Sequence, residues 1–156
     1  MSDPNPARVA ADADVLAADL FVDGDARDAL DHVRSHSWVE LVASDPLLDD
    51  AEAVVADLGD DGLAADWREK IEGLATLVDH PAGDHPALAA AYHGDAAHVL
   101  TYDERLRSAK AGVELKKRVD LSVKAPDAFA RLFDPERLYP EVVGGDYPGP
   151  DRDPRA

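Results

Sequence analysis

The chain has 156 residues, no cysteine and a formal net charge of −17, with 25 Asp among its acids. The missing cysteine excludes disulfide bonds, thiolate metal ligands and cysteine nucleophiles, and no apolar run reaches the ~20 residues that a membrane-spanning helix needs. Because the acidic excess is typical of surfaces hydrated in concentrated salt and the amino-terminal residues lack a signal-peptide pattern, we expect a soluble, halophilic, cytoplasmic protein.

Strands and helices are predicted to alternate along the first half of the chain. Apolar runs rich in strand-forming residues indicate strands, and apolar residues spaced by three and four indicate helices. In chain order, the predicted elements are a strand over 8–11, a helix over 13–22, a helix capped by Asp25, a strand over 38–43, a helix over about 46–57 capped by Ser44 or Asp45, and a turn over 60–62.

The second half continues the alternation and then changes character. The predicted elements are an amphipathic helix between Leu63 and Val78, a loop over 80–83, a helix from Pro86 that Gly94 ends, strands over 96–101 and 119–123, and a helix from Pro126 to Phe133. Frequent Pro and Gly over 134–156 predict an extended tail, docked in part at most.

The alternation predicts a three-layer α/β/α sandwich with a mostly parallel central sheet. The predicted organisation is a flexible N-terminus over 1–7, one folded domain over 8–133 and the tail over 134–156. At this length, one domain with a sizeable core is the expectation.

Four Asp residues stand where a parallel α/β fold would bind a ligand. Asp12 and Asp103 each follow a short apolar run, and Asp84 precedes a predicted helix. Asp50 lies at the edge of an apolar helical stripe, whereas Asp49 should point to water. Open α/β sheets bind ligands at the carboxyl ends of their strands, and gathered carboxylates suit Mg²⁺ or Mn²⁺. For Asp84, helix capping and metal binding are equally expected.

Several segments match the pattern of one known family. Residues 8–16, RVAADADVL, are similar to an opening strand that runs into Asp-Thr-Asn, and residues 41–50, LVASDPLLDD, to a second strand and helix. Residues 84–103, DHPALAAAYHGDAAHVLTYD, resemble an acid, a helix, a strand and a Thr-x-Asp ending. With a closing strand and helix over 119–133, the chain resembles the PIN domain, a family of small metal-dependent nucleases, over roughly 8–133.

The resemblance implies a reaction and a set of ligands. It implies that phosphodiester bonds of RNA, or of single-stranded DNA, are hydrolysed with Mg²⁺ or Mn²⁺ by a protein that can form a homodimer. The implied catalytic acids and metal ligands are Asp12, Asp50, Asp84 and Asp103, with Asp14 and Thr101 in support. Two departures matter: Asp50 is one methylene shorter than the family's Glu, and Tyr102 replaces a small residue at the mouth.

Seven of the sixteen cationic side chains lie between positions 105 and 124, where only Glu114 and Asp120 oppose them. This stretch directly follows Asp103, so it predicts an edge that grips phosphates. The expected nucleic-acid contacts are Arg105, Arg107, Lys110, Lys116, Lys117 and Arg118. A solvated connection between two strands explains the stretch equally well.

Two alternatives stay open. The first is a PIN-like module that binds RNA or a protein partner with little turnover, which the shortened acid at Asp50 favours. The second is a phosphatase of the haloacid-dehalogenase type, with Asp12, Asp14 and Ser44 at strand ends; it ranks lower because Lys70, in a predicted helix, is the only Lys before the last acid. The six His residues fit no zinc pattern, and His98 is expected to be packed in its strand.

Overall fold

The computed structural model describes residues 5–80, 85–104 and 122–154. Asp84, strand positions 119–121 and the six cations predicted to contact nucleic acid lie outside the described residues. At the N-terminus, residues 5–7 already belong to the first strand, so the prediction of a flexible segment is wrong for these three positions.

A five-stranded sheet forms the centre of the described structure. Its strands are β1 (Asn5–Ala11), β2 (Glu40–Ala43), β3 (Thr76–Leu77), β4 (Ala96–Leu100) and β5 (Ser122–Lys124). They are all parallel, in the order β3-β2-β1-β4-β5, and Val9 pairs with Leu41 on one side and with His98 on the other. The strand order therefore changes direction between β1 and β4, where sheets of this kind open a crevice at their carboxyl ends.

Helices cover this sheet in an α/β sandwich, which confirms the predicted fold class. Within the described residues they are α1 (Ala13–Phe21), α2 (Asp25–Arg34), α3 (Asp45–Leu58), α4 (Asp61–Leu74), α5 (Pro86–His93), α6 (Pro126–Leu132) and α7 (Pro135–Val142). Val9, Ala10 and Ala11 of β1 are completely buried, as expected of a central parallel strand covered on both faces. None of the described helices is long and apolar enough to cross a membrane.

Polar caps decide where several of these helices begin. The Ser44 hydroxyl accepts a hydrogen bond from a backbone N–H in the first turn of α3, so Ser44 is its cap. Asp60 caps α4 by accepting a hydrogen bond from the N–H of Leu63 at 2.7 Å, so the turn predicted over 60–62 is wrong. Asp25 is the first residue of α2 rather than its cap. These differences arise because one Asp suits a turn and a helix start equally well.

The C-terminal segment is folded onto the domain. Helix α7 occupies part of the segment predicted as extended, so that prediction is wrong over 135–142. Beyond the helix, the Tyr147 hydroxyl lies 2.6 Å from Nε2 of His36, and Arg152 donates hydrogen bonds to the carbonyls of Val33 and His36 at 3.1 and 2.9 Å. The segment is therefore tied to the carboxyl end of α2.

Gly94 ends α5 where this helix comes close to β2. A Cβ atom at position 94 would lie 2.3 Å from Cγ1 of Val42, so the turn has room only for glycine. The Gly94 carbonyl also accepts a hydrogen bond from Nη1 of Arg8 at 3.0 Å. These contacts fix the start of β4, the strand that leads to Asp103.

His98 is packed in β4, as its alternating position predicts. Its ring meets the ring of Phe129 edge to face, with centroids 5.3 Å apart. Burial lowers the pKa of His98 from 6.5 to about 4, and the charge of the Lys124 ammonium makes a smaller contribution in the same direction. The folded protein therefore keeps this imidazole neutral at pH values where the unfolded chain protonates it.

Replacing His98 with Gln should flatten the acid side of the stability profile. Since the unfolded chain takes up this proton near 6.5 and the folded one only near 4, wild type should lose stability as pH falls through that window. The Gln variant should lose about 1–2 kcal/mol less, because the burial penalty is absent. Thermal melts across the window measure this, with the exposed His93→Gln as control. Parallel pH profiles for wild type and His98→Gln would contradict it.

Candidate functional site

Asp12 stands at the carboxyl end of β1, where the strand passes into α1. Its N–H donates a hydrogen bond to the carbonyl of Leu100 at 2.8 Å, which holds the ends of β1 and β4 together. Its Oδ1 accepts from the N–H of Ala13 at 2.8 Å, and its Oδ2 accepts from Oγ1 of Thr101 at 2.8 Å. The side chain is 14% exposed, so this end of the sheet carries a mostly buried carboxylate.

Thr101 links Asp12 to Asp103. Its side chain is completely buried, and its hydroxyl, which donates to Asp12, accepts a hydrogen bond from the N–H of Asp103 at 3.0 Å. The N–H of Thr101 donates to the carbonyl of Lys124 at 3.0 Å, which joins this point to β5. The Thr-x-Asp spacing therefore brings Asp103 to the same edge of the sheet as Asp12.

Asp14 adds a third carboxylate to this edge. Its Oδ2 accepts a hydrogen bond from the N–H of Tyr102 at 3.2 Å, while its Oδ1 is buried without a hydrogen-bond partner among the described residues. Burial raises the pKa of Asp14, and the negative charges of Asp12 and, to a smaller extent, Asp103 raise it further. The sequence assigned Asp14 a supporting role only, yet the structure brings it into electrostatic contact with both predicted acids.

His85 is a neighbour of Asp12 that the sequence did not single out for this site. Its Nδ1 accepts a hydrogen bond from the N–H of Ala87 at 3.2 Å, which makes it the cap of α5. A neutral ring bonded in this way carries its proton on Nε2, and Nε2 lies 3.6 Å from Oδ2 of Asp12. The donor side of the ring therefore faces the carboxylate. In the sequence, the position of His85 directly before Pro86 at a predicted helix start could have indicated that it caps the helix.

Asp50 and Asp49 are both exposed side chains of α3. Oδ1 of Asp49 lies 2.9 Å from Nη1 of Arg68 on α4, in an exposed ion pair. The Asp50 side chain is likewise exposed, and no hydrogen bond or ion pair among the described residues joins it to Asp12. The shared exposure of neighbouring positions follows from the buried stripe of α3, which consists of Leu47, Leu48, Ala51 and Val55.

The described residues contain no group of three His, Asp or Glu side chains placed to hold a metal ion together. Asp84, the remaining predicted acid, lies outside those residues, immediately before His85. Lys124 is the one cation of the basic stretch that falls inside them, and burial lowers its pKa. A half-buried ammonium of this kind is poorly placed to meet a phosphate.

Ser44 is committed to the fold rather than to a ligand. Its side chain is completely buried, its Oγ accepts a hydrogen bond from the N–H of Leu47 at 3.3 Å, and Nε2 of His80 lies 2.8 Å from the same oxygen. The phosphatase alternative needs this hydroxyl for a phosphate. Because the Ser44 hydroxyl is already bonded within the fold, the phosphatase alternative is weakened further.

Fold and site together define a class of protein: a parallel α/β domain with carboxylates gathered where its strand order changes direction. The chain belongs to DUF7384, a family of unknown function, whose family model matches residues 3–155. Neither the curated proteins nor the solved structures gave a match.

Proposed function

We propose that this protein is a Mg²⁺- or Mn²⁺-dependent nuclease that hydrolyses phosphodiester bonds, with RNA as its substrate. One observation carries the proposal: Asp12, Asp14 and Asp103 gather at the carboxyl ends of β1 and β4, close enough for the charges of Asp12 and Asp103 to act on Asp14. Ligands of open α/β sheets bind at this place. The proposed metal ligands are Asp12, Asp14 and Asp103, with Asp84. Asp50, the remaining acid of the sequence prediction, is exposed on α3, so its part is tested by substitution.

The donor set fits a hard divalent cation. Asp14 has a buried carboxylate oxygen without a hydrogen-bond partner among the described residues, and two carboxylates nearby repel its charge. A divalent cation would satisfy that oxygen and remove the repulsion. Mg²⁺ keeps several of its waters, so few direct protein ligands suffice. The described residues alone supply an incomplete set, which is why Asp84 belongs to the proposal.

When bound, the cation would supply an activated water and charge stabilisation at the phosphate. The chain's own residues perform the positioning. Thr101 orients Asp12 and the backbone of Asp103 with one hydroxyl, and the Nε2 side of His85 faces the same carboxylate. The Tyr102 ring is 44% exposed beside them, where an aromatic face can stack on an unpaired base.

The deciding experiment is cleavage of a single-stranded RNA, and of single-stranded DNA with the same sequence, at fixed high KCl. Cleavage should require Mg²⁺ or Mn²⁺ and stop when EDTA is added. RNA should be the better substrate. A preparation that leaves both strands intact across the metal series would overturn the proposal, provided that circular dichroism shows it folded.

Reversing Lys116 and Lys117 to Glu should weaken RNA affinity without removing metal binding, if the basic stretch grips phosphates. The effect should shrink in concentrated salt, because charges are screened within ~3 Å at 1 M. Fluorescence anisotropy of labelled RNA across a salt series measures it. Equal affinity of wild type and the double variant at moderate salt would contradict the assignment.

A second candidate function is a PIN-like module that binds RNA or a protein partner with little turnover. The observation in its favour is that both oxygens of Asp12 already accept hydrogen bonds from Ala13 and Thr101 within the fold. RNA binding without cleavage at saturating Mn²⁺ would identify this case. For either function, we propose that the protein is cytoplasmic and forms a homodimer. Sedimentation at high KCl tests the dimer.

A further inference from the structure

A second concave site lies away from the acidic edge, at the opposite end of α1. It is a cavity of about 620 Å³ between α1, α2, α4 and the C-terminal segment. Its apolar lining includes Trp67, Ile71 and Leu74 of α4. The charged residues that line it, which we call its rim, include the cations Arg27, Arg34, Lys70 and Arg152. Small-molecule sites have this size and this mixture of apolar wall and few polar groups, with volumes of roughly 300–1,000 Å³.

Two of the rim guanidinium groups are held by neutral oxygens. Arg27 donates to the carbonyls of Asp19 and Leu20 at 3.0 and 2.9 Å, and its nearest carboxylate, Asp23, is 3.9 Å away and 86% exposed. Arg152 donates to carbonyls at the end of α2. Carbonyls orient a guanidinium without cancelling its charge. The Asp151 carboxylate interacts with the charge of Arg152, but it is exposed and already hydrogen-bonded to Ser37, so both guanidinium groups can still attract an anion.

The acids of the rim leave this attraction largely intact. Asp19 is spent on Arg34, whose Nη1 lies 2.8 Å from its Oδ2 in a mostly buried pair. Asp153 is the other acid at the rim. Arg34 is neutralised by Asp19 and by Asp31, so among the lining residues Arg27, Lys70 and Arg152 outnumber the remaining acid, Asp153. The carboxylates beside Arg27 and Arg152, those of Asp23 and Asp151, are exposed to water and do not line the cavity. Three lining cations facing one remaining lining acid are an uncommon arrangement in a chain of net charge −17.

We infer that this cavity binds a small organic anion, with an aromatic or aliphatic body against Trp67 and a carboxylate or phosphate group among Arg27, Lys70 and Arg152. The apolar wall supplies burial, the guanidinium groups supply recognition of a planar or tetrahedral anion, and Lys70 adds a flexible point charge. This site shares no residue with the proposed nuclease centre, so it can be tested separately.

The test uses three probes with a common phenyl body: 3-phenylpropionate, phenyl phosphate and the neutral 3-phenylpropanol. Trp67 fluorescence reports binding in a Trp38→Phe background, which leaves Trp67 as the single tryptophan. This background loses no hydrogen bond, since Nε1 of Trp38 is buried without a partner among the described residues. Either anion should bind better than the alcohol, and the preferred one identifies the head group.

Gly73 allows the cavity to be filled without disturbing the fold. It lines the cavity on α4, and a Cβ atom there would meet nothing within 4 Å. Gly73→Phe should therefore keep the melting temperature, because Gly is the weakest ordinary residue in a helix, while it weakens anion binding by at least about tenfold. Ala65→Phe, on an exposed position of the same helix, is the matched control.

Lys70→Gln should weaken the two anions by about threefold to tenfold and leave the alcohol unchanged, and Arg131→Gln, a cation outside the cavity, should have no effect. Equal binding of anions and alcohol, or equal binding by wild type and Gly73→Phe, would overturn the inference. So would a dimer that dissociates only in Gly73→Phe, since the cavity would then be filled by a second copy of the chain.

Discussion

Asp103→Asn is expected to reduce metal-dependent cleavage of RNA by at least about a hundredfold while the protein stays folded. The substitution keeps the volume of the side chain and removes its charge. The N–H that donates to Thr101 belongs to the backbone and is unaffected. Rates measured at saturating Mn²⁺ and fixed KCl, with circular dichroism on the same samples, separate loss of chemistry from loss of fold.

Asp12→Asn should be as damaging to cleavage, because one amide oxygen can still cap Ala13 but the charge is lost. The matched control is Asp49→Asn. Asp49 is 70% exposed, and Arg68 keeps its contacts with Asp45 and Glu72 without it. That variant should cleave like wild type, with a stability change within about 0.5 kcal/mol.

Asp50→Asn decides whether α3 contributes to the site. If this variant loses activity and Asp49→Asn does not, the predicted phase of α3 is supported and Asp50 replaces the family's Glu. If the two variants are equally damaging, that phase is wrong. If both are silent while Asp103→Asn is inactive, the metal is held without a contribution from α3.

The sequence predicts the fold best where burial and pattern agree. Val9, Ala10 and Ala11 form an apolar run without alternation, which is typical of a central parallel strand, and all three are completely buried. Strand β3 escaped prediction because it consists of two exposed residues, Thr76 and Leu77, that are defined only by pairing with β2. No local pattern can indicate a strand of that kind.

Helix α7 escaped prediction for a different reason. Pro135 and Pro140 suggested an extended tail, yet Pro suits the first turn of a helix, and Asp134 caps this one by accepting a hydrogen bond from the N–H of Arg137 at 3.2 Å. At Asp45-Pro46 a helix start is predicted with Ser44 or Asp45 as its cap, and the structure has a helix there that Ser44 caps. The high Pro content of the C-terminal segment therefore led to the prediction of an extended tail, although Asp134 before Pro135 is a recognisable helix start.

The candidate site was only partly predictable. Asp12 and Asp103 are conspicuous because each ends a buried strand, where a surface charge is unexpected. Asp14 is less conspicuous in the sequence, because the second residue of a helix usually faces solvent. Its burial depends on Tyr102, whose N–H arrives from the end of β4. The position of His85 near Asp12 depends on how closely α5 approaches β1. Contacts of this kind are set by the packing of elements that are distant in sequence.

Mn²⁺ should stabilise wild type strongly and should stabilise Asp14→Asn much less. Without a metal ion, Asp14 has a raised pKa because of burial and the charges of Asp12 and Asp103, so its ionised form weakens the folded state at neutral pH. A bound divalent ion removes this repulsion and stabilises the native state by mass action, by ~2.7 kcal/mol at a hundredfold excess over its dissociation constant.

Asp14→Asn should therefore melt at a higher temperature than wild type without metal and gain little when Mn²⁺ is added. Asp12→Asn and Asp84→Asn should blunt the gain as well, although Asp12 also serves the fold through Thr101, which limits the benefit of removing its charge. Monovalent salt must be constant, because a chain of −17 is stabilised by salt alone. Thermal melts at fixed high KCl, with and without Mn²⁺ and with Asp49→Asn as control, measure these shifts. If wild type and all three Asn variants shifted equally, the carboxylates at the ends of β1 and β4 would not form one metal site, and the proposed nuclease would lose its main support.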